Sequence, residues 1–143
     1  MEISVENLQK RVALNSLQTL KIARAVLRHE GVSQAALSIV FVTRQRIQAF
    51  NKKFLRRSHS TDVLAFDARD PGSCRHNPKR KADGIAGDII ISTDEALKNS
   101  RIFKTTLSRE LALYMVHGIL HLLGFDDHRP KDIVQMRKKE QAL

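Results

Sequence analysis

Cysteine is nearly absent: Cys74 is the single one in 143 residues. Neither an internal disulfide framework nor a cysteine-based zinc cluster can form within the chain. Tryptophan is missing and aromatics total 5%, which argues against a base-stacking platform that grips single strands along its length. No apolar run reaches the roughly 18 residues that a transmembrane helix needs, so none is expected. Met1 to Glu6 lack a basic segment and a long apolar segment, so no secretory signal is expected either. Acids are outnumbered, 15 Asp and Glu against 25 Lys and Arg, for a net charge of +10. A sequence pI near 10.3 makes long-range attraction to polyanions the first expectation about partners, with phosphate contact dominating affinity. What is present is 42% hydrophobic residues. That is enough for a core and too many for a natively disordered chain. The expectation is one cytoplasmic domain over residues 1–143.

Periodicity places the elements. Residues 2–5 suit a short strand. Ser16 can cap a helix from Leu17 to about Glu30, with Leu17, Leu20, Ala23 and Leu27 on one face and Gly31 as its stop. Leu37 to Val42 is almost wholly apolar and reads as a strand buried on both faces. Thr43 caps a second helix, Arg44 to about Leu55, with Ile47 and Phe50 facing inward. Thr61 to Phe66 is a third strand and Asp88 to Ser92 a fourth. Between them, about 67–87, Pro, Gly and a basic run at Arg75–Lys81 predict a loop, either solvated or gripping RNA. Ser92 and Glu95 form a capping box for a helix to about Ser100. Thr106 to Leu123 is the most strongly helical stretch, ended by Gly124, and Pro130 suits the first turn of a last helix. The sum is an α/β (α+β) domain, with a small mixed sheet of about four strands and about five helices.

The chemistry concentrates at Val116–His128. His117 and His121 are one helical turn apart, so their Cβ atoms lie about 5–6 Å from each other on one face and both imidazoles can reach one ion. A chain turning back at Gly124 can bring Asp127 or His128 to a third position. Three protein ligands and an open position suit a catalytic zinc ion. Both stay candidates. Zinc proteases of the H-E-x-x-H type carry a glutamate general base after the first histidine; here Gly118 stands there and cannot accept a proton. Glu110, two turns before His117, is a candidate for orienting a ligand histidine or a solvent-facing acid.

Three motifs in order, Thr61-Asp62-Val63-Leu64-x-Phe66, Gly87-Asp88-Ile89-x-Ile91-Ser92 and His117-Gly118-x-Leu120-His121-Leu122-x-Gly124-Phe125-Asp126, resemble the YbeY family of bacterial zinc-dependent endoribonucleases and ribosomal RNA maturation factors. The resemblance spans nearly the whole chain. It implies a single α/β domain, one Zn²⁺ held by three ligands and cleavage of single-stranded RNA. It also implies work in small-subunit ribosomal RNA 3′-end maturation and ribosome quality control, with the small subunit and possible ribosomal-protein or nuclease partners. The chain departs from the family pattern twice. The third histidine is expected six residues after the second, where Asp127 stands, with His128 one later. An arginine is expected four residues after Asn51, where Leu55 stands; Arg56 is the candidate to take over its phosphate contact.

The expected mechanism has zinc polarising a phosphodiester or activating water, with Arg56 or Arg57 stabilising the charge that develops. Asp88, expected at the mouth of the fourth strand, is a candidate for orienting water or a ligand, or is structural. The competing classes are a non-enzymatic zinc-containing ribosome-assembly factor and a zinc peptidase.

Overall fold

The computed structural model describes residues 1–55, 63–67 and 84–124. Strand β1 (Glu2–Asn7) leads through α1 (Ser16–His29) to β2 (Ala35–Val42), then α2 (Arg44–Leu55), β3 (Val63–Asp67), β4 (Ile85–Ser92), α3 (Thr93–Ile102) and α4 (Leu107–Leu122). The sheet order is β1-β2-β4-β3. β1, β2 and β4 run parallel and β3 pairs antiparallel with β4, the mixed arrangement expected. Four helices are formed by the described residues; the fifth, expected after Pro130, lies outside them, as does most of the loop at 67–87.

Strand alternation divides the sheet into two unlike faces. Leu37, Ile39, Phe41, Ile89 and Ile91 form one core with Ala23, Val26 and Leu27 of α1 and Met115, Ile119 and Leu120 of α4. On the other face Val42, Leu64 and Ile90 meet Ile47 of α2, with Phe50 and Phe66 at the margin. α2 covers only part of that face, and Ala36 and Asp88 remain exposed on it. β2 is therefore buried on both faces only near its C-terminal end, a correction to the fully buried strand expected.

The helix ends follow from local hydrogen bonding. The cap of α1 is Asn15, whose Oδ1 accepts from the Gln18 N–H at 3.1 Å, so Ser16 is the first helical residue rather than the cap. That frame leaves Leu17 71% exposed and Leu20 half-buried, keeps Ala23 and Leu27 in the core as expected, and adds Thr19 and Val26 to the buried face. At the other end Gly31 takes φ +72°. Its N–H reaches the Arg28 carbonyl and that of Val32 reaches Leu27, the paired bonds of a left-handed helix stop. Thr43 does cap α2, accepting from the Arg46 N–H at 3.3 Å. Ser92 accepts from the Glu95 N–H at 3.2 Å as the capping box requires.

Candidate metal centre

α4 is continuous from Leu107 to Leu122, so the helix carries both histidines without a break. Thr106 opens it by accepting from the Arg109 N–H at 3.1 Å. Gly124, at φ +100°, closes it by donating to the His121 carbonyl at 3.0 Å. His117 and His121 are both half-buried, whereas Gly118, Ile119, Leu120 and Leu122 around them are buried. Over the last two turns of α4 the pair thus forms the accessible edge, with Gly118 to Leu120 and Leu122 in the core.

Glycine between the histidines has a steric cause. A Cβ on Gly118 would stand 2.7 Å from Cγ2 of Ile89, because α4 crosses β4 there at close range. Gly87 repeats the device at the next contact. A Cβ there would fall 2.4 Å from the Phe66 carbonyl oxygen and 3.0 Å from Leu122. The sequence reading placed Gly87 in the loop and missed its part in seating α4. A lone glycine ahead of an apolar run is the signal that could have found it.

Two expectations about acidic residues change. Glu110 is buried, and its Oε1 accepts from the Thr105 hydroxyl at 2.5 Å. That contact ties it to the start of α4, so it is not a solvent-facing acid. Asp88 is not at the mouth of β4. It is the fourth residue of a strand that begins three positions earlier than expected, opposite Ser38 on β2 and Phe66 on β3. Alternation sets it on the face opposite Gly87 and Ile89, the β4 residues that α4 touches. It therefore stands on the other face of the sheet from α4 and its histidines.

Two nitrogen donors one turn apart, half-buried on a pinned helix, suit a borderline-soft ion such as zinc. Among the described residues no three of His, Cys, Asp or Glu form a group that could hold a metal. Any further donor has to come from outside them. Asp127, His128 and Arg56 all lie there, as do Arg57, Thr61 and Asp62.

Residues 4–143 match the family model described as endoribonuclease YbeY. A Syntrophus aciditrophicus protein named endoribonuclease YbeY is 31% identical, over 100% of this chain and 88% of its own length. An Anaeromyxobacter dehalogenans protein of the same name is 38% identical, over 85% of this chain and 58% of its own. A Thermotoga maritima protein solved in solution shares the fold, with a TM-score of 0.66 at 24% identity, over 98% of this chain and 85% of that one. No helix among the described residues is long and apolar enough to cross a membrane.

Proposed function

We propose, from a chain that belongs to the endoribonuclease YbeY family, that it is a zinc-dependent endoribonuclease specific for single-stranded RNA. Its place is in small-subunit ribosomal RNA 3′-end maturation and ribosome quality control, in the cytoplasm. The observation that carries the reading is the half-buried His117–His121 pair on a helix pinned by Gly118 against Ile89.

His117 and His121 would hold the ion, with His128 or Asp127 as the third donor. When bound, zinc would supply Lewis-acid polarisation of a phosphodiester and lower the pKa of a coordinated water to about 7. The chain's own residues provide the rest. The close crossing at Gly118 limits sliding of α4 over β4, so both imidazoles keep their place relative to the sheet. Arg56 would pair with phosphate oxygens and stabilise the charge that grows on them during cleavage. The net charge of +10 raises the local concentration of a polyanionic substrate. The peptidase reading loses further ground, since a glutamate at position 118 would be driven into Ile89.

The test combines metal content with cleavage. The purified chain is expected to carry one zinc and to cut single-stranded but not duplex RNA. His117→Ala with His121→Ala should lose both metal and cleavage. Stoichiometric zinc in that double variant removes the site, and metal-free wild-type cleavage removes the mechanism. Cells deprived of the chain should accumulate small-subunit ribosomal RNA with unprocessed 3′ ends.

A further inference from the structure

The turn joining α3 to α4 carries the most unusual exposed surface among the described residues. Ile102 is 58% and Phe103 66% exposed, although large apolar side chains gain by burial. Around them the chain is cationic. From Ala96 to Arg109 it holds Lys98, Arg101, Lys104 and Arg109 and no Asp or Glu. All four are exposed, and none is in an ion pair among the described residues.

The tip is rigidly held. The Phe103 N–H donates to the Asn99 carbonyl and that of Thr105 to Ser100, both at 2.9 Å. Lys104 between them takes φ +53°, and the Thr105 hydroxyl is anchored on buried Glu110. A ring presented on a fixed turn loses little freedom when something stacks on it. The dipole of α3 accounts for Arg101 in its last turn. It accounts for neither Lys104 nor Arg109, which stand by the positive N-terminal end of α4.

One cation beside the tip shares its helix spacing with the histidines. Arg109, Leu113, His117 and His121 recur every four residues on α4 and are the accessible positions of one stripe: Arg109 is exposed and the other three are half-buried. His117 is ten residues beyond Leu107, about 15 Å along the helix axis. A strand cut at the histidines and following this stripe toward the start of α4 meets Arg109, six residues after Phe103 in the chain.

We infer that the Ile102–Phe103 tip is a second RNA contact, in which an unpaired base stacks on Phe103 while Arg101, Lys104 and Arg109 hold the neighbouring phosphates. The inference rests on the endoribonuclease reading and extends it to a substrate longer than the cleavage site. Composition excludes a broad aromatic platform, but a single ring flanked by cations is enough to hold one base. The positive rim favours RNA over an apolar protein partner.

The test is equilibrium binding of a labelled single-stranded RNA of about twenty nucleotides to the full chain, alongside cleavage of the same RNA. Phe103→Ala should weaken binding about 5- to 100-fold. Phe103→Leu, which keeps apolar area without a π face, should weaken it similarly, and Phe103→Trp should restore it. Arg101→Ala and Lys104→Ala should each flatten the logarithmic salt dependence by about 0.7. Wild-type affinity in Phe103→Ala overturns the inference, and so does full rescue by leucine, which would show that RNA binding needs no π face there. Thermal melts of each variant report folding, and the Leu and Trp variants discriminate even if the Ala variant melts early. Binding that depends on Phe103 without any cleavage sustains the tip and sinks the hydrolytic reading. Cleavage indifferent to Phe103 does the reverse, and a wild-type chain that binds no RNA sinks both.

Discussion

At the scale of single residues, two glycines set the geometry of the candidate centre. Gly118→Ala pushes a methyl group to within 2.7 Å of the Ile89 side chain, whose surroundings are fully packed. Such overpacking costs about 1–3 kcal/mol. The melting temperature should fall by several degrees, and zinc affinity should fall with it as α4 lifts away from β4. At Gly87 the obstacle is the Phe66 carbonyl oxygen, at 2.4 Å. A backbone atom in a strand ladder cannot rotate aside as a side chain can, so Gly87→Ala should be the more damaging change. Comparing melts of the two variants checks the order; a Gly118→Ala protein less stable than Gly87→Ala contradicts it. The third ligand is a separate question at this scale. Zinc retained stoichiometrically by Asp127→Ala but lost from His128→Ala identifies the histidine, and the opposite pattern identifies the carboxylate.

At the scale of elements, Asp94 joins two helix starts. It lies in the first turn of α3, and its Oδ2 accepts from the Arg44 N–H of α2 at 2.6 Å, while Oδ1 meets Arg11 at 3.1 Å. A carboxylate shared by two helix N-termini opposes both positive dipole ends. Asp94→Ala should cost about 1–2 kcal/mol, with Asp94→Asn intermediate because it keeps an acceptor without the charge. Arg11→Ala should change stability by less than about 0.5 kcal/mol, since Arg11 is largely exposed and water screens the pair. Denaturant midpoints measure all three, and a larger loss for Arg11→Ala than for Asp94→Ala refutes the account. This junction was invisible in sequence because Asp94 and Arg44 are fifty positions apart and meet only through the sheet. What depended on local pattern was legible. The stops at Gly31 and Gly124 and the caps at Thr43 and Ser92 all follow from turn chemistry. The histidine spacing was legible for the same reason, since helix periodicity alone places both on one face. The reading failed where tertiary contact decides. Leu17 looked inward until Asn15 set the cap, and Ile85–Gly87 looked like loop until pairing with Ala35–Leu37 extended the strand.

At the scale of the whole molecule, charge and chemistry should separate. The excess of ten positive charges belongs to the full chain, whereas the proposed grip on the ion starts from two imidazoles toward one end of α4. Attraction to RNA therefore draws on a distributed field, and each phosphate neutralised on a single strand contributes about 0.7 to the slope of log affinity against log salt. Titrating a single-stranded RNA between about 50 and 200 mM salt, where a handful of phosphate contacts already costs orders of magnitude in affinity, measures that field. The variant His117→Ala with His121→Ala removes the proposed grip on the ion but none of the Lys and Arg side chains. Its salt slope should stay close to wild type while its cleavage disappears. A slope that collapses in this variant would place RNA recognition at the ion rather than on the basic surface. A wild-type slope near zero would deny phosphate contact altogether, leaving the positive charge without the role assigned to it.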